Sequence, residues 1–362
     1  MGARKPQRPL RKGWTTGACA TAAAAAAYRA LLTGRFEASV AITLPRGERP
    51  TFELCRTELS DGRATAGIVK DAGDDPDVTH QAEIVVTVEA GEAGSGVGFR
   101  AGQGVGTVTL PGLPVAVGEP AINPAPRAMM EAAVGDVAEE LDASGDVVIT
   151  VSIPGGEKLA EKTANPRLGI DGGLSVLGTT GVVIPYSCAS WIHGIHSGID
   201  VARASGIAHI AASTGRTSEE AVAKHHQLPD AALIDMGDFA GGLLKYLRRH
   251  PLPRLTIAGG FAKITKLAGG HLDLHSDRSR VDFPALAVML GELGADGKAT
   301  ERAGAANTAS QVLAEAGALG PPLASLVAAR AREVALATLS GDTEVEVVIF
   351  DRAGTVIGHA GS

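Results

Sequence analysis

The residues best suited to chemistry lie in four stretches rich in Gly, Ser and Thr. They are "GTTG" (178–181), "STGRTSE" (213–219), "DMGDFAGG" (235–242) and "GGFAKITK" (259–266). Small residues let a backbone approach a ligand closely, and Gly admits positive φ. Asp235, at the end of an apolar run, is placed to accept hydrogen bonds from a ribose diol. Arg216, in a loop, suits an anion such as a carboxylate. None of the stretches reads GxxxxGK[ST] or a full GxGxxG, which disfavours a P-loop NTPase. Two readings stay open: a site for a nucleoside-like ligand, or ordinary short turns between strands and helices.

Histidines supply a second set. His193 and His196 fall three apart on one predicted helix, and His271, Asp273 and His275 alternate along "HLDLHSDRSR". Such spacing suits metal ligation, proton transfer or a substrate hydrogen bond, and surface histidines would look the same. Asp71, Asp74, Asp75 and Asp77 crowd beside Lys70 and His80. An oxygen-rich loop can take Ca²⁺ or Mg²⁺, but EF-hand spacing is missing, and Asx turns around Pro76 explain the same composition. No GxSxG follows a predicted strand, so a serine hydrolase is disfavoured.

The third set opens "KGWTTGACATAAAAAAY". Alanine is the best helix former, so a helix is expected from Ala20 to Leu32. Thr15, Thr16 and Gly17 then sit at its N-terminus. Thr caps free N–H groups there, and such a terminus offers donors and partial positive charge to an anion.

These sets must be held by a chain of 362 residues, long enough for two domains. With 3% aromatics and 47 glycines it reads as a loop-rich α/β protein rather than an aromatic-cored sandwich. Three cysteines without CxxC spacing point to a reducing, cytoplasmic setting. No run of about 18 apolar residues lacks charge, so no membrane partner is expected. Net charge of −7 makes nucleic acid an unexpected partner, although Arg4, Lys5, Arg8, Arg11 and Lys12 form a basic arm. That arm is either a solvated tail or an aid in holding an anionic substrate.

Over residues 1–155 strands come in runs with two helices. A hairpin turns at Pro45-Arg46-Gly47, "AEIVVTVEA" and "DVVITVSIP" read as strands, and a helix spans Pro126 to Leu141. That pattern is an α+β domain with a mixed, largely antiparallel sheet. Over 165–290 strands alternate with helices, which indicates βαβ units and a parallel sheet. The segment 290–362 is helical and ends in a hairpin at a sheet edge. It is expected to complete the first domain. Thr217 or Ser218 is the expected cap of the helix holding Glu219 and Glu220.

Five long stretches, in order, resemble the motifs of the CbiD family: "GWTTGACATAAAAAA", "VKDAGDDPDVTH", "NPRLGIDGGLSVLGTTGVVIPYS", "STGRTSE" and "KITKLAGGHLDLHS". The resemblance runs from Arg11 to Asp277, and departs from the family's polar, acidic pattern at Tyr186–Trp191. It implies a C1-methyltransferase acting on cobalt-precorrin-5B in cobalamin biosynthesis. S-adenosylmethionine is the implied methyl donor and a polycarboxylate corrinoid precursor the acceptor. The second domain is then expected to be Rossmann-like.

On that basis Thr179, Thr180, Gly181, Ser213, Thr214, Gly215, Asp235, Gly237 and Gly259 are the expected donor site. Thr15, Thr16, Gly17, Lys70, Arg216 and Lys266 are expected to meet the acceptor. His271, His275 and Lys263 are the expected catalytic groups, with no protein-bound metal. Assembly as a homo-oligomer is left open. The rival readings are a metal-dependent hydrolase built on His193, His196, His271, Asp273 and His275, and a corrinoid carrier without donor affinity.

Overall fold

A computed structural model describes residues 9–361, so Arg4, Lys5 and Arg8 of the basic arm lie outside the described residues. The chain divides into two compact units between Ser187 and Cys188.

In the first unit, helix α1 (Thr16–Thr33) is buried along almost its whole length. It lies against α2 (Pro124–Leu141) and one face of a five-stranded sheet. The sheet runs in the order β1 (Arg56–Ser60), β2 (Arg63–Val69), β3 (Glu83–Ala90), β5 (Val147–Ser152), β4 (Val97–Ala101). Its pairs are antiparallel except β4 with β5, as the strand runs suggested. Along β5, Val147, Ile149 and Val151 are buried while Val148, Thr150 and Ser152 are half-exposed. That period of two marks a sheet covered on one face. The 37–59 hairpin pairs Ser39–Ala41 with Thr51–Glu53.

The alanines of α1 follow from its setting. Ala18, Ala20, Ala22, Ala23, Ala24 and Ala27 are fully buried, so neighbours close in on several sides and any longer side chain would meet them. Cys19 lies among them, and burial pushes its thiol up to about 12. The helix starts earlier than its alanine run suggested, because Thr15 caps it by accepting from Ala18 N at 3.1 Å.

The second unit is a doubly covered sheet. Its order is β7 (Leu233–Asp235), β6 (His209–Ser213), β8 (Arg254–Gly260), β9 (Glu344–Phe350), β10 (Val356–Ala360). The first four are mutually parallel and β10 returns antiparallel at the edge. Helix α4 (Arg216–His226) covers one face, where Val222 packs with Ala211, Ala258 and Val348. On the other face Ile210, Ile257 and Val347 pack with α3 (Cys188–Ala204), α5 (Ala240–Leu247), α6 (Phe261–Ala268) and α7 (Gly320–Leu339).

Two expectations are corrected. The segment 290–362 does not complete the first unit, because β9 joins β8 through a seven-residue parallel register. The 165–187 stretch belongs to the first unit, where Val182–Val183 pairs with Gly13–Trp14. Ala309–Leu339 also reaches the length and hydropathy of a membrane span, at a mean of 1.5. Within it Leu323, Val327, Ala328 and Ala331 are buried in the second unit's core.

Lys70, expected to face an acceptor, is instead buried, with Nζ 2.5 Å from Asp77 Oδ2 and hydrogen-bonded to Thr79. Burial pushes Asp77 up, but the Lys70 charge and hydrogen bonds from Lys70 and Thr79 outweigh it and hold the carboxyl below its ordinary range. The other loop aspartates are engaged as well. Asp71 pairs with Arg11, Asp74 accepts from Arg11 N, and Asp75 accepts from Tyr186 N at 2.8 Å. The loop is therefore a set of local ties rather than an oxygen cage for a cation.

Two variants test this account by chemical denaturation. Ala24→Leu overpacks α1 and should cost about 1–3 kcal/mol. Asp77→Asn leaves a buried ammonium without its counter-charge and should cost about 3 kcal/mol. Unchanged unfolding midpoints would contradict both assignments.

Candidate functional site

In an open parallel sheet a ligand sits beyond the carboxyl ends of the strands. Here β6, β7 and β8 each run at that edge into a helix whose N-terminus has no side-chain cap: α4 after Gly215, α5 after Phe239 and α6 after Gly260. The expected caps Thr217 and Ser218 lie inside α4, and Ser218 Oγ donates back to Gly215 O at 2.7 Å. At α5 the Gly241 amide is already used by Leu272 O at 2.8 Å, so the open N–H donors and partial positive charge at this edge are those of α4 and α6. A Cβ at Gly215 or Gly260 would meet nothing within 4 Å, so the backbone there is open to a close approach.

The loops at this edge are tied to one another. Ser213 O accepts from Met236 N at 3.0 Å and Gly237 N at 3.1 Å, and Thr214 N donates to Ala258 O at 2.9 Å. Lys263 Nζ, on α6, donates to Thr214 O at 2.6 Å and pairs with Asp238 at 3.0 Å. Lys263 therefore joins the loops after β6, β7 and β8. Gly259 is small for packing: a Cβ there would stand 2.8 Å from both Ile264 and Thr214. Gly237, at φ 55°, sets its backbone against the Trp191 ring.

Two features of this edge bear on binding. Ser213 is 1% exposed, yet its Oγ makes no hydrogen bond. A buried hydroxyl without a partner costs about 1–3 kcal/mol, which a ligand atom would relieve. Trp191 is half-exposed, holds Asp235 O through Nε1 at 3.1 Å and has the Phe239 ring 6.5 Å away. It offers a flat apolar face beside the exposed Asp235. Sequence reasoning marked Trp191 only as a departure from a family pattern, and gave Asp238 no role of its own. A half-exposed Trp following a strand-end Asp in space has no signature in spacing.

The remaining residues of this unit divide. Arg216 is the first residue of α4, strongly exposed, and pairs with Glu220 at 2.7 Å. Lys266 is buried and donates to Leu274 O at 2.8 Å, so it anchors the 271–275 loop instead of reaching solvent. Burial lowers its pKa. In that loop Asp273 is paired with Arg278 and accepts from His275 N. His275 Nδ1 accepts from Asp277 N at 3.2 Å, which leaves its proton on Nε2. His271 lines a concavity of about 70 Å³ with Thr265, Arg280 and Asp282, room for water but not for an organic substrate. The histidine cluster of the hydrolase reading does not assemble: His196 stacks on Tyr246 at 3.8 Å and its Nε2 lies 3.3 Å from Gly242 O.

Thr179, Thr180 and Gly181, expected beside these loops, lie in the first unit and follow no strand of the parallel sheet. They close over the start of α1. Thr15 N donates to Gly181 O at 2.9 Å and Gly17 N to Leu177 O at 2.9 Å. Thr16 is buried, and a Cβ at Gly181 would collide with Leu44. A buried helix start must find partners for its N–H groups within the protein, so the amides of Thr15, Gly17 and Ala18 are already used. They are not donors held ready for substrate carboxylates.

The second unit's edge thus brings together the half-exposed Trp191 ring, the exposed Asp235, the unpartnered Ser213 hydroxyl and the starts of α4 and α6.

The CbiD family profile matches residues 3–185, and the profile described as CbiD, C-terminal domain, matches residues 273–361. A Bradyrhizobium sp. protein named cobalt-precorrin-5B C(1)-methyltransferase is 58% identical, covering 97% of this chain and 94% of its own length. A Halorhodospira halophila protein of the same name is 57% identical over 97% of this chain and 95% of its own. A crystal structure titled cobalamin biosynthesis protein (cbiD), from Archaeoglobus fulgidus, is 29% identical, covers 74% of this chain and 83% of that chain, and has a TM-score of 0.41. With two profiles matching most of its length and near-full-length relatives above half identity, this chain belongs to the CbiD family.

Proposed function

We propose that the chain transfers a methyl group from S-adenosylmethionine to C1 of cobalt-precorrin-5B, with the donor held at the carboxyl edge of a Rossmann-like second unit. The observation that carries the activity is the 58% identity, over 97% of the chain, to a protein named for that reaction. The donor placement is supported by the uncapped helix starts, the unpartnered Ser213 hydroxyl and the Trp191 face. Three free cysteines suit a reducing compartment for this chemistry.

The sulfonium donor supplies an electrophilic methyl group. One C–S bond breaks as one C–C bond forms, and the ring system provides the electron pair. The protein's task is alignment and exclusion of water. Asp235 accepts from the ribose hydroxyls, Trp191 stacks on the adenine and Ser213 Oγ takes up a hydrogen bond at the end of β6. Lys263 is a positioning residue, since its Thr214 and Asp238 contacts keep the loops together. Arg216, the exposed cation at this edge, meets a carboxylate of the acceptor. His275, with its proton on Nε2, faces the reaction as a hydrogen-bond donor.

Calorimetric titration of the full chain with S-adenosylmethionine and S-adenosylhomocysteine tests the donor site. The wild type should bind one equivalent. Asp235→Ala should weaken binding about 10- to 100-fold, as expected for loss of hydrogen bonds to a charged group. Trp191→Ala should weaken it about 10-fold. Ser213→Ala should bind about fivefold more weakly while the unliganded protein is as stable as the wild type, or more so, because a buried unpartnered hydroxyl has been removed. Wild-type affinity in Asp235→Ala would sink the ribose assignment.

A further inference from the structure

At the opposite end of the second sheet lies a cluster that neither the proposed reaction nor the sequence spacing uses. His209 opens β6, His226 ends α4 and Glu346 lies in β9. They are widely separated in sequence, yet each offers a ligand atom, and these atoms lie within 4.8 Å of one another. No other group of three such residues converges this way among the described residues.

The reason is register and facing. Thr256 pairs with both Ala211 and Glu346, so His209, Thr256 and Glu346 project from the sheet face that α4 covers. Helix α4 runs back across that face and delivers His226 over them. His226 Nε2 lies 2.7 Å from Glu346 Oε2, the closest approach in the cluster. His209 offers the third ligand atom, within 4.8 Å of the other two. The outer side is reached through His359, half-exposed, whose Nε2 lies 2.9 Å from Glu346 Oε1.

We propose that His209, His226 and Glu346 form a binding site for a zinc-type divalent ion, with the fourth position open toward His359. Two imidazoles and one carboxylate are a recognised donor set for such an ion. Bonds of about 2.0–2.2 Å bring adjacent ligands to about 3.4 Å apart. The cluster therefore has to close by about an ångström, within the reach of side-chain rotation. Thr256 Oγ1 supports the set from behind, 2.8 Å from His209 Nε2 and hydrogen-bonded to Glu346. Arg254 Nη2, 3.7 Å from Glu346 Oε2, opposes a cation and turns outward when one binds; its side chain is partly exposed. The ion would pin the C-terminus of α4 to the sheet.

The test uses tag-free full-length protein, stripped of metal, equilibrated with Zn²⁺ and freed of excess by gel filtration. One zinc per chain by mass spectrometry is expected, with a higher Tm than the stripped protein. Co²⁺ in its place should give the intense visible bands of a four-coordinate site. His226→Gln and Glu346→Gln should each lose at least 100-fold in affinity, while His250→Gln retains the metal. Failure of the wild type to retain zinc overturns the proposal without reference to any variant. So does zinc retained equally by His226→Gln and Glu346→Gln, and so does a weak six-coordinate cobalt spectrum.

Discussion

A helix enclosed by protein can leave no backbone donor unanswered, and the first unit is arranged around that constraint. The flanks of α1 are alanine because neighbours close in on them, and its N-terminus is met by carbonyls of residues 177 and 181. Those carbonyls can reach it because the chain returns after β5 to pair Val182–Val183 with Gly13–Trp14. The aspartate loop follows from the same closure, with Trp14 N donating to Asp71 O at 2.8 Å. A sequence of small residues and a sequence of turns are thus two sides of one packing requirement.

The second unit obeys a different constraint. Three parallel strands deliver three helix starts to one edge, and short loops leave those starts without side-chain caps. Lys263 spans the loops, so the edge is held by an ammonium touching a carbonyl and a carboxylate rather than by apolar packing. Together with the backbone bonds of Ser213 O and Thr214 N, that frame keeps the loops in one arrangement. Helix α4 begins at this edge and, after 11 residues or about 16 Å, ends over His209 and Glu346. One rigid rod therefore belongs to both ends of the sheet.

Element types were legible where the period was strong: the alanine helix, the strands at Glu83–Ala90 and Val147–Ser152, and the strand–helix alternation after Ile207. The loops at Ser213, Asp235 and Gly259 were legible because they follow those strands. What could not be read depended on long-range pairing. The "GTTG" stretch looks like a loop of the parallel sheet, and only its pairing to Gly13–Trp14 assigns it to the first unit. Lys70 and Lys266 looked like cations for a substrate, but each is buried on a protein oxygen. Closely spaced histidines drew attention away from His209, His226 and Glu346, which sheet register alone brings together.

The enclosure of α1 also changes what Cys19 is. Its thiol is fully buried, with ionisation pushed far above neutrality, whereas Cys55 and Cys188 are exposed. An electrophile or oxidant needs the thiolate and a path to it, and the folded first unit denies both. Cys19 can be reached only when α1 lifts away, so its modification counts the openings of the first unit. In a cell under oxidative stress, a molecule altered at Cys19 carries a lasting mark of having come apart there.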